Sequence, residues 1–372
     1  MRTRGAALVV GLALVGSAHA LARDSSGTAA AKARFAEGEA AVKAGKLDDA
    51  AAAFRKAIDA DADYVDAHQR FIDVTRRMDG PAGLPAANTR LRQQYEKWAR
   101  QYPKRAVFQW ALGVLAEDAA AGDAHFSKAL TLDSTFAPAH LQLAQNADER
   151  GDFEAQRDHL KKATEASPDD PRYLVRYAWS LHKSDPARFR ALALDVVRQF
   201  PASQQAAQAL NNLAAESSNP ERRAYFDRLR TEYPVDRFSY SSSAMYDLYA
   251  QLTTPADALA LAREMAKAFP SNRTWSQRVL QQQAMVRANE LIADGKPADA
   301  LDALGATQRP SGAHGVTWTL LKADAAAAAG HADEAFATLL DALTIVPDER
   351  LESALQTNGS ALGRSRAAVD AE

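Results

Sequence analysis

The sequence predicts an all-α chain of about nine antiparallel helix pairs, stacked one on the next with a period of about 33 to 40 residues. Two observations predict it. The body of the chain lacks the alternating valine, isoleucine and threonine runs of β-strands, and its apolar residues follow helical spacing instead. That spacing is interrupted by one recurring mark, an aromatic or small residue followed by proline. It occurs at Tyr102-Pro103, Ser167-Pro168, Phe200-Pro201, Tyr233-Pro234, Phe269-Pro270 and Val346-Pro347. Successive prolines are 65, 33, 33, 36 and 77 residues apart, so the first and last intervals each hold about two periods. Proline cannot continue a helix, and the residue before it is pushed out of the helical region, so each mark closes one unit. At 372 residues the chain is too long for one small core. A stack of repeats avoids that difficulty, because each unit buries its apolar face on its neighbours.

Inside each unit, alanine or glycine stands where two helices cross closely, and a large apolar residue follows on the second helix. In the first unit these are Gly38, Gly45, Ala50, Phe54 and Ala57. In the unit closing at Pro168 they are Leu143, Ala144, Gly151, Leu160 and Ala163, and in the last they are Ala323, Gly330, Ala335, Leu339, Ala342 and Pro347. These spacings resemble the tetratricopeptide repeat, a 34-residue helix pair with small residues at its eighth, twentieth and twenty-seventh positions and proline near its thirty-second. The turn Gly45-Lys46-Leu47-Asp48-Asp49-Ala50 and its counterparts from Gly151 and Gly330 are particularly similar. The resemblance implies a right-handed α-α superhelix over residues 31–347, with the first helix of each pair facing a concave groove.

Units near 31–62, 137–169 and 311–347 carry the full pattern. The unit near 104–136 has Trp110, Leu112, Gly113, Phe126 and Ala129, with a turn that reads about three residues short. Units near 170–201, 202–234 and 235–270 keep the period and the closing proline but lose most of the glycines. Residues 63–103 read as a longer pair with Gly80-Pro81-Ala82-Gly83 as a stretched turn, and residues 271–310 pair a long first helix with a second around Pro297 to Leu304. A generic α-solenoid and a pentatricopeptide array are the rival helical readings. The second expects a basic RNA-binding face, which 45 basic against 47 acidic residues do not supply.

The N-terminus predicts a signal peptide over residues 1–20. Two arginines lie within Met1 to Arg4, a 12-residue small and apolar run spans Gly5 to Gly16, and Ala18-His19-Ala20 offers small residues for cleavage after Ala20. Residues 21–30 are expected to be a flexible mature N-terminus. The apolar run is shorter than the roughly 20 residues that a bilayer requires, and no later run is longer, so no membrane insertion is expected after cleavage. The expected location is periplasmic or secreted, and the alanine-rich composition of a high-GC bacterial gene favours the periplasm. The chain has no cysteine, which excludes a lipoprotein anchor, disulfides, thiolate metal sites and thiol redox chemistry in this chain.

The formal net charge of −2 gives no basic footprint for nucleic acid. The eight histidines form no His-Glu-x-x-His motif and no close ligand pair, so neither a metal nor a cofactor is expected. Asp59-Ala60-Asp61-Ala62-Asp63 hints at a calcium loop, but Tyr64 and Arg70 stand where its glycine and final glutamate belong. It reads as a polar turn between repeats. There is no phosphate-binding glycine loop and no Gly-x-Ser-x-Gly elbow, and carboxylates such as Asp169-Asp170 and Asp333-Glu334 sit at helix starts, where they complement the helix dipole. No catalytic residue is predicted.

The groove is therefore the candidate site. The helix beginning near Pro171 places Arg172, Arg176, Trp179 and Lys183 on one stripe, and the next first helices offer Gln204, Gln208 and Asn211, then Tyr240 and Asp247. One reading makes this a basic, amide-rich surface for an acidic or carboxylate-bearing peptide, with Trp179 as its anchor. The other makes Trp179 a packing residue between repeats and the arginines a solvated face. Relatives that bind chaperone C-termini use asparagines and lysines at matching places. Gln145, Trp179 and Asn211 occupy them here, so that carboxylate clamp is not reproduced.

Residues 348–372 read as a capping helix from Asp348 to Leu355, a turn at Asn358-Gly359-Ser360, and a last helical stretch from about Ser365. This ending resembles connectors in exported proteins whose helical repeats precede a thioredoxin-like domain. The expected function is a non-catalytic periplasmic scaffold that binds a protein or peptide in its groove. The alternative is the docking part of an exported thiol-redox system whose thioredoxin-like domain is absent from this chain. The sequence sets no oligomeric state.

Overall fold

The computed structural model describes residues 27–363, apart from 219 and 236. The expected signal peptide and the expected last helical stretch from Ser365 lie outside the described residues, as does most of 21–30. Among the described residues there are nineteen α-helices and no strand. The chain divides into two compact units, the first ending at Phe189 and the second beginning at Arg190.

In the first unit, α1 (Ala29–Lys43) pairs with α2 (Leu47–Ala60), α3 (Val65–Met78) with α4 (Gly80–Gln101), α5 (Ala106–Val114) with α6 (Ala119–Leu132), and α7 (Ala137–Glu149) with α8 (Phe153–Ala166). Helix α9 (Pro171–Ser180) follows and leads by a turn into α10 (Pro186–Gln199), inside which the division between the units falls. In the second unit, α11 (Gln204–Glu216) pairs with α12 (Glu221–Glu232), and α13 (Ser239–Gln251) is followed by α14 (Pro255–Ala268). Next, α15 (Arg273–Ala293) pairs with α16 (Pro297–Gly305) and α17 (Gly312–Ala328) with α18 (Ala332–Ile345), and α19 (Glu349–Ala361) packs on α17 and α18.

The proline marks end helices as their chemistry requires. Tyr102, Ser167, Tyr233, Phe269 and Val346 cap α4, α8, α12, α14 and α18 with φ from −127 to −139°, outside the helical region. Helices α2 and α6 end the same way without proline. Asp61 (φ −151°, ψ 102°) and Asp133 (φ −148°, ψ 101°) are their caps. The Asp61 and Asp133 carboxylates accept from the backbone N–H two residues on, at 3.0 Å each, which closes an Asx turn. Asp61 is thus part of the polar turn between repeats.

Within pairs, Gly45, Gly151, Gly295 and Gly330 take φ between +72 and +87°. The residue after each donates to the carbonyl five residues back (Lys46 to Ala41, Asp152 to Ala147, Lys296 to Leu291, His331 to Ala326), so one hairpin turn recurs in four pairs. No glycine of this kind occurs between Gly151 and Gly295, the stretch where the repeat signature fades.

Three local expectations change. Gly80 to Gly83 form the first turn of α4 rather than a loop, because Pro81 lacks the N–H that a first helical turn leaves unpaired anyway. The unit near 104–136 is short because α5 has only nine residues and stops one residue after Gly113, not because its turn is clipped. Asn358-Gly359-Ser360 lie inside α19, where Asn358 and Ser360 donate to the carbonyls of Ala354 and Gln356 and Gly359 is buried.

The core of the first unit centres on Tyr95, Trp98 and Phe108, with the rings of Tyr95 and Trp98 edge to face at 4.9 Å. The second unit buries Met285, Leu291 and Leu304 in one cluster, and Phe336, Leu339, Leu351 and Leu355 in another. Among the described residues no helix is long and apolar enough to cross a membrane.

Candidate functional site

The predicted stripe falls in two units. In the first, α9 ends at Ser180, so Arg172, Arg176 and Trp179 share the helix but Lys183 lies in the turn beyond it and is not on the stripe. Asp170 is the N-cap of α9 and accepts from the Arg172 backbone N–H at 2.9 Å. The same carboxylate takes the Arg172 guanidinium at 2.7 Å, and Asp66 at the start of α3 takes it at 2.8 Å. The hydrogen bond to Asp170, and then Asp66, hold Arg172 charged far beyond any accessible pH despite its partial burial. Its charge is met by two carboxylates of its own chain. Trp179 is about a third exposed, and His182 stacks on it at 4.1 Å, nearly parallel. Phe189 meets Trp179 edge-on at 5.9 Å. One face of the expected anchor is therefore covered by the turn that follows it.

In the second unit, Asn211 and Asp247 come together in a cleft of ≈ 340 Å³. Asn211, Ala214 and Ala215 of α11 form one wall, Asp247, Ala250 and Gln251 of α13 the other, and Arg222 and Phe226 of α12 the end. The helices bring these residues together for plain reasons. Ser203 caps α11 by accepting from Ala206 N–H at 3.0 Å, directly after the closing Phe200-Pro201 mark. The apolar face of α11, with Leu210 and Leu213 buried, then fixes its rotation. The alanines leave open space where larger side chains would fill it. Phe226 is buried, and Arg222 Nε donates to the carbonyls of Ala214 at 3.0 Å and Ser217 at 2.8 Å at the C-terminus of α11. Asp247 is exposed. Gln208 and Tyr240 are half-buried, and neither lines the cleft. The cleft thus offers two amides and a carboxylate to a ligand, with the Nε of its guanidinium already engaged.

A smaller cleft of ≈ 230 Å³ in the first unit is lined by Arg92, Glu96, Glu117 and His125, among others. Arg92 pairs with Glu117 at 2.7 Å, and burial pushes the His125 imidazole below its usual range.

Sequence reasoning missed two polar clusters. In the second unit, the Arg278 guanidinium sits 4.3 to 4.9 Å from the ring centres of Tyr249, Trp275 and Tyr246. In the first, His140 of α7 meets His159 of α8. Trp275 and Arg278 are three residues apart on α15, but the tyrosines come from α13, and 19 residues separate the two histidines. For His140 a signal was available in a repeated string, Asp61 to His68 and Asp133 to His140, each running from a C-cap aspartate to a histidine seven residues on.

The family model of the tetratricopeptide repeat matches residues 31–64 and 137–170. Those two segments are tetratricopeptide repeats. The matched segments are the pairs α1–α2 and α7–α8, both with a positive-φ glycine in the hairpin turn. Solved structures of low identity resemble the chain in part. A thermophilic tetratricopeptide protein of Thermus thermophilus is 16% identical, with 50% of this chain and 99% of that one covered and a TM-score of 0.36. The tetratricopeptide domain of P58(IPK) is 16% identical over 90% of this chain and 99% of its own, with a TM-score of 0.28. The human IFIT1 dimer with m7Gppp-AAAA is 18% identical over 86% of this chain and 72% of its own, with a TM-score of 0.43. No curated protein sequence matches the chain.

Proposed function

We propose that this chain, which carries two tetratricopeptide repeats, is an exported, periplasmic scaffold that holds a protein or peptide partner and catalyses no reaction. The cleft between α11 and α13 carries the reading. Its amides, Asn211 and Gln251, suit the alternating donors and acceptors of an extended peptide backbone, and the exposed Asp247 carboxylate suits a basic side chain on that peptide. An acidic peptide is less well served at Arg172, because that guanidinium is already paired with Asp66 and Asp170. The cleft's titratable side chains are Arg222 and Asp247 alone, which is no acid–base or nucleophile pair.

Affinity capture from periplasmic extract, with the tagged chain and an N211A/D247A variant of equal helicity, tests the reading. A partner held by the wild type and lost by the variant is the expected result. Equal capture by both would remove the cleft from the binding surface. Recovery of the native chain outside the periplasmic fraction would remove the export reading independently of the cleft.

A further inference from the structure

We propose that His140 and His159 form a chelating pair for a divalent late transition-metal ion of the copper and zinc class. The two imidazoles come from the facing helices of one pair, α7 and α8, and their Nδ1 atoms lie 3.1 Å apart. The rings are 5.3 Å apart between centres and tilted by 36°.

The hydrogen-bond chemistry says what each Nδ1 carries. His140 Nε2 lies 3.3 Å from the carbonyl of Ser134, and a carbonyl can only accept, so Nε2 bears the proton. The Nδ1 of a neutral His140 therefore presents a bare lone pair. In the metal-free chain His159 donates its Nδ1–H into that lone pair. Moving this one proton to Nε2 of His159 turns both Nδ1 atoms into ligands, with no net proton release. A ring whose far N–H is held by a backbone carbonyl is how proteins orient a metal-bound histidine.

Distance and charge agree. Two metal–nitrogen bonds of about 2.0 to 2.1 Å place their nitrogens about 2.9 Å apart at a right angle and about 3.3 Å apart at the tetrahedral angle. The separation of 3.1 Å lies between. Burial lowers the pKa of both imidazoles, so both are neutral, the ligating form, at neutral pH. The nearest charges cancel in pairs, Lys162 with Asp158 at 2.7 Å and Arg150 with Asp123 at 2.8 Å. Among the described residues no third histidine or carboxylate completes a ligand set, so water fills the remaining positions. Two imidazoles without thiolate or carboxylate favour copper over zinc by the usual stability order.

Titrating the chain with copper(II) and recording electron paramagnetic resonance tests this. One ion should bind with hyperfine coupling from two imidazole nitrogens, and zinc should compete for it. His159→Gln, at a half-buried position, should weaken binding at least tenfold, while His331→Gln, at an exposed one, should leave it unchanged. No uptake, a spectrum with one imidazole only, or equal binding by the His159→Gln variant would reduce the pair to a hydrogen bond and any uptake to adventitious metal. The wild-type spectrum decides by itself if the variant fails to fold.

Discussion

His68 donates from Nε2 to the carbonyl of Ala62, 3.0 Å away, from the centre of the first unit's core. Its Nδ1 must then accept, and the Tyr95 hydroxyl supplies the proton at 2.9 Å. The ring is fully buried and both nitrogens are used by neutral partners, so a charge there is costly. Burial is the main cause that lowers its pKa to about 4, against the smaller opposing pulls of the Ala62 carbonyl, Asp63 and Asp61.

The pH dependence follows from that sign. Above about 6.5 the residue is neutral in folded and unfolded chains alike, and its contribution is intact. Between about 6.5 and 4 only the unfolded chain takes up the proton, so stability falls as pH falls, by about 3 kcal/mol from this group in total. Urea midpoints measured from pH 7.5 to 4 should decline more steeply for the wild type than for His68→Gln. Parallel curves would show that His68 is not the titrating group.

Gly38 and Gly45 stand on the same helix hairpin and should respond to alanine for different reasons. A Cβ at Gly38 would lie 2.6 to 2.8 Å from three atoms of the Phe54 ring, which is fully buried and has nowhere to move. Gly38→Ala should cost about 1 to 3 kcal/mol by overpacking. Gly45 has open space around it but φ +73°, so Gly45→Ala should cost about 1 kcal/mol through backbone strain alone. Phe54→Leu should recover part of the loss at Gly38 and none at Gly45. A double-mutant cycle on thermal unfolding measures both couplings.

The contrast shows what could be read in advance. Pro103, Pro168 and Pro347 act on the residue before them, so helix ends were legible wherever proline wrote them. Asp61 and Asp133 make the same ending through a side-chain hydrogen bond, which a polar string does not advertise. Gly80-Pro81 and Gly359 look like breakers but sit in a first turn and a final turn, where a helix tolerates them. Asn211 and Asp247 line one cleft, and they are 36 residues apart in the sequence, one repeat period, which carries the helix face from one unit to the next. The pairing of Arg172 with Asp66 was not legible, because Asp66 is 106 residues away. The His140–His159 contact escaped for the same reason, as 19 residues separate them until the hairpin closes.

Arg278 gives a test of stacking against charge. Trp275 is fully buried, and burial of the guanidinium among Trp275, Tyr246 and Tyr249 lowers the pKa of Arg278. Its Nη1 is buried without a hydrogen-bond partner among the described residues. The planar cation gains about 0.5 to 2 kcal/mol per favourable ring contact, while the unpaired donor offsets part of that gain. Arg278→Lys keeps the charge but loses the plane, and should cost about 1 to 2 kcal/mol. Arg278→Met removes the desolvated donor and keeps apolar bulk, and should cost less. Chemical denaturation that ranks methionine below lysine would refute the stacking account.

Asp66 and Asp170 make the last prediction, because they decide what the expected basic stripe can offer. The Arg172–Asp66 pair is about half exposed on the arginine side, so Asp66→Asn should change stability by less than about 1 kcal/mol. Its effect on recognition should be larger. With both carboxylates in place, a glutamate-rich peptide gains nothing at Arg172, and its binding should not change in Arg172→Gln. In an Asp66→Asn, Asp170→Asn variant the guanidinium is released, and asparagine still serves as the N-cap of α9. Affinity for that peptide should then rise several-fold at low ionic strength and fall back as salt screens the charge. Fluorescence anisotropy with a labelled peptide measures it. Tight, Arg172-dependent binding by the wild type would show that the two carboxylates do not mask the stripe.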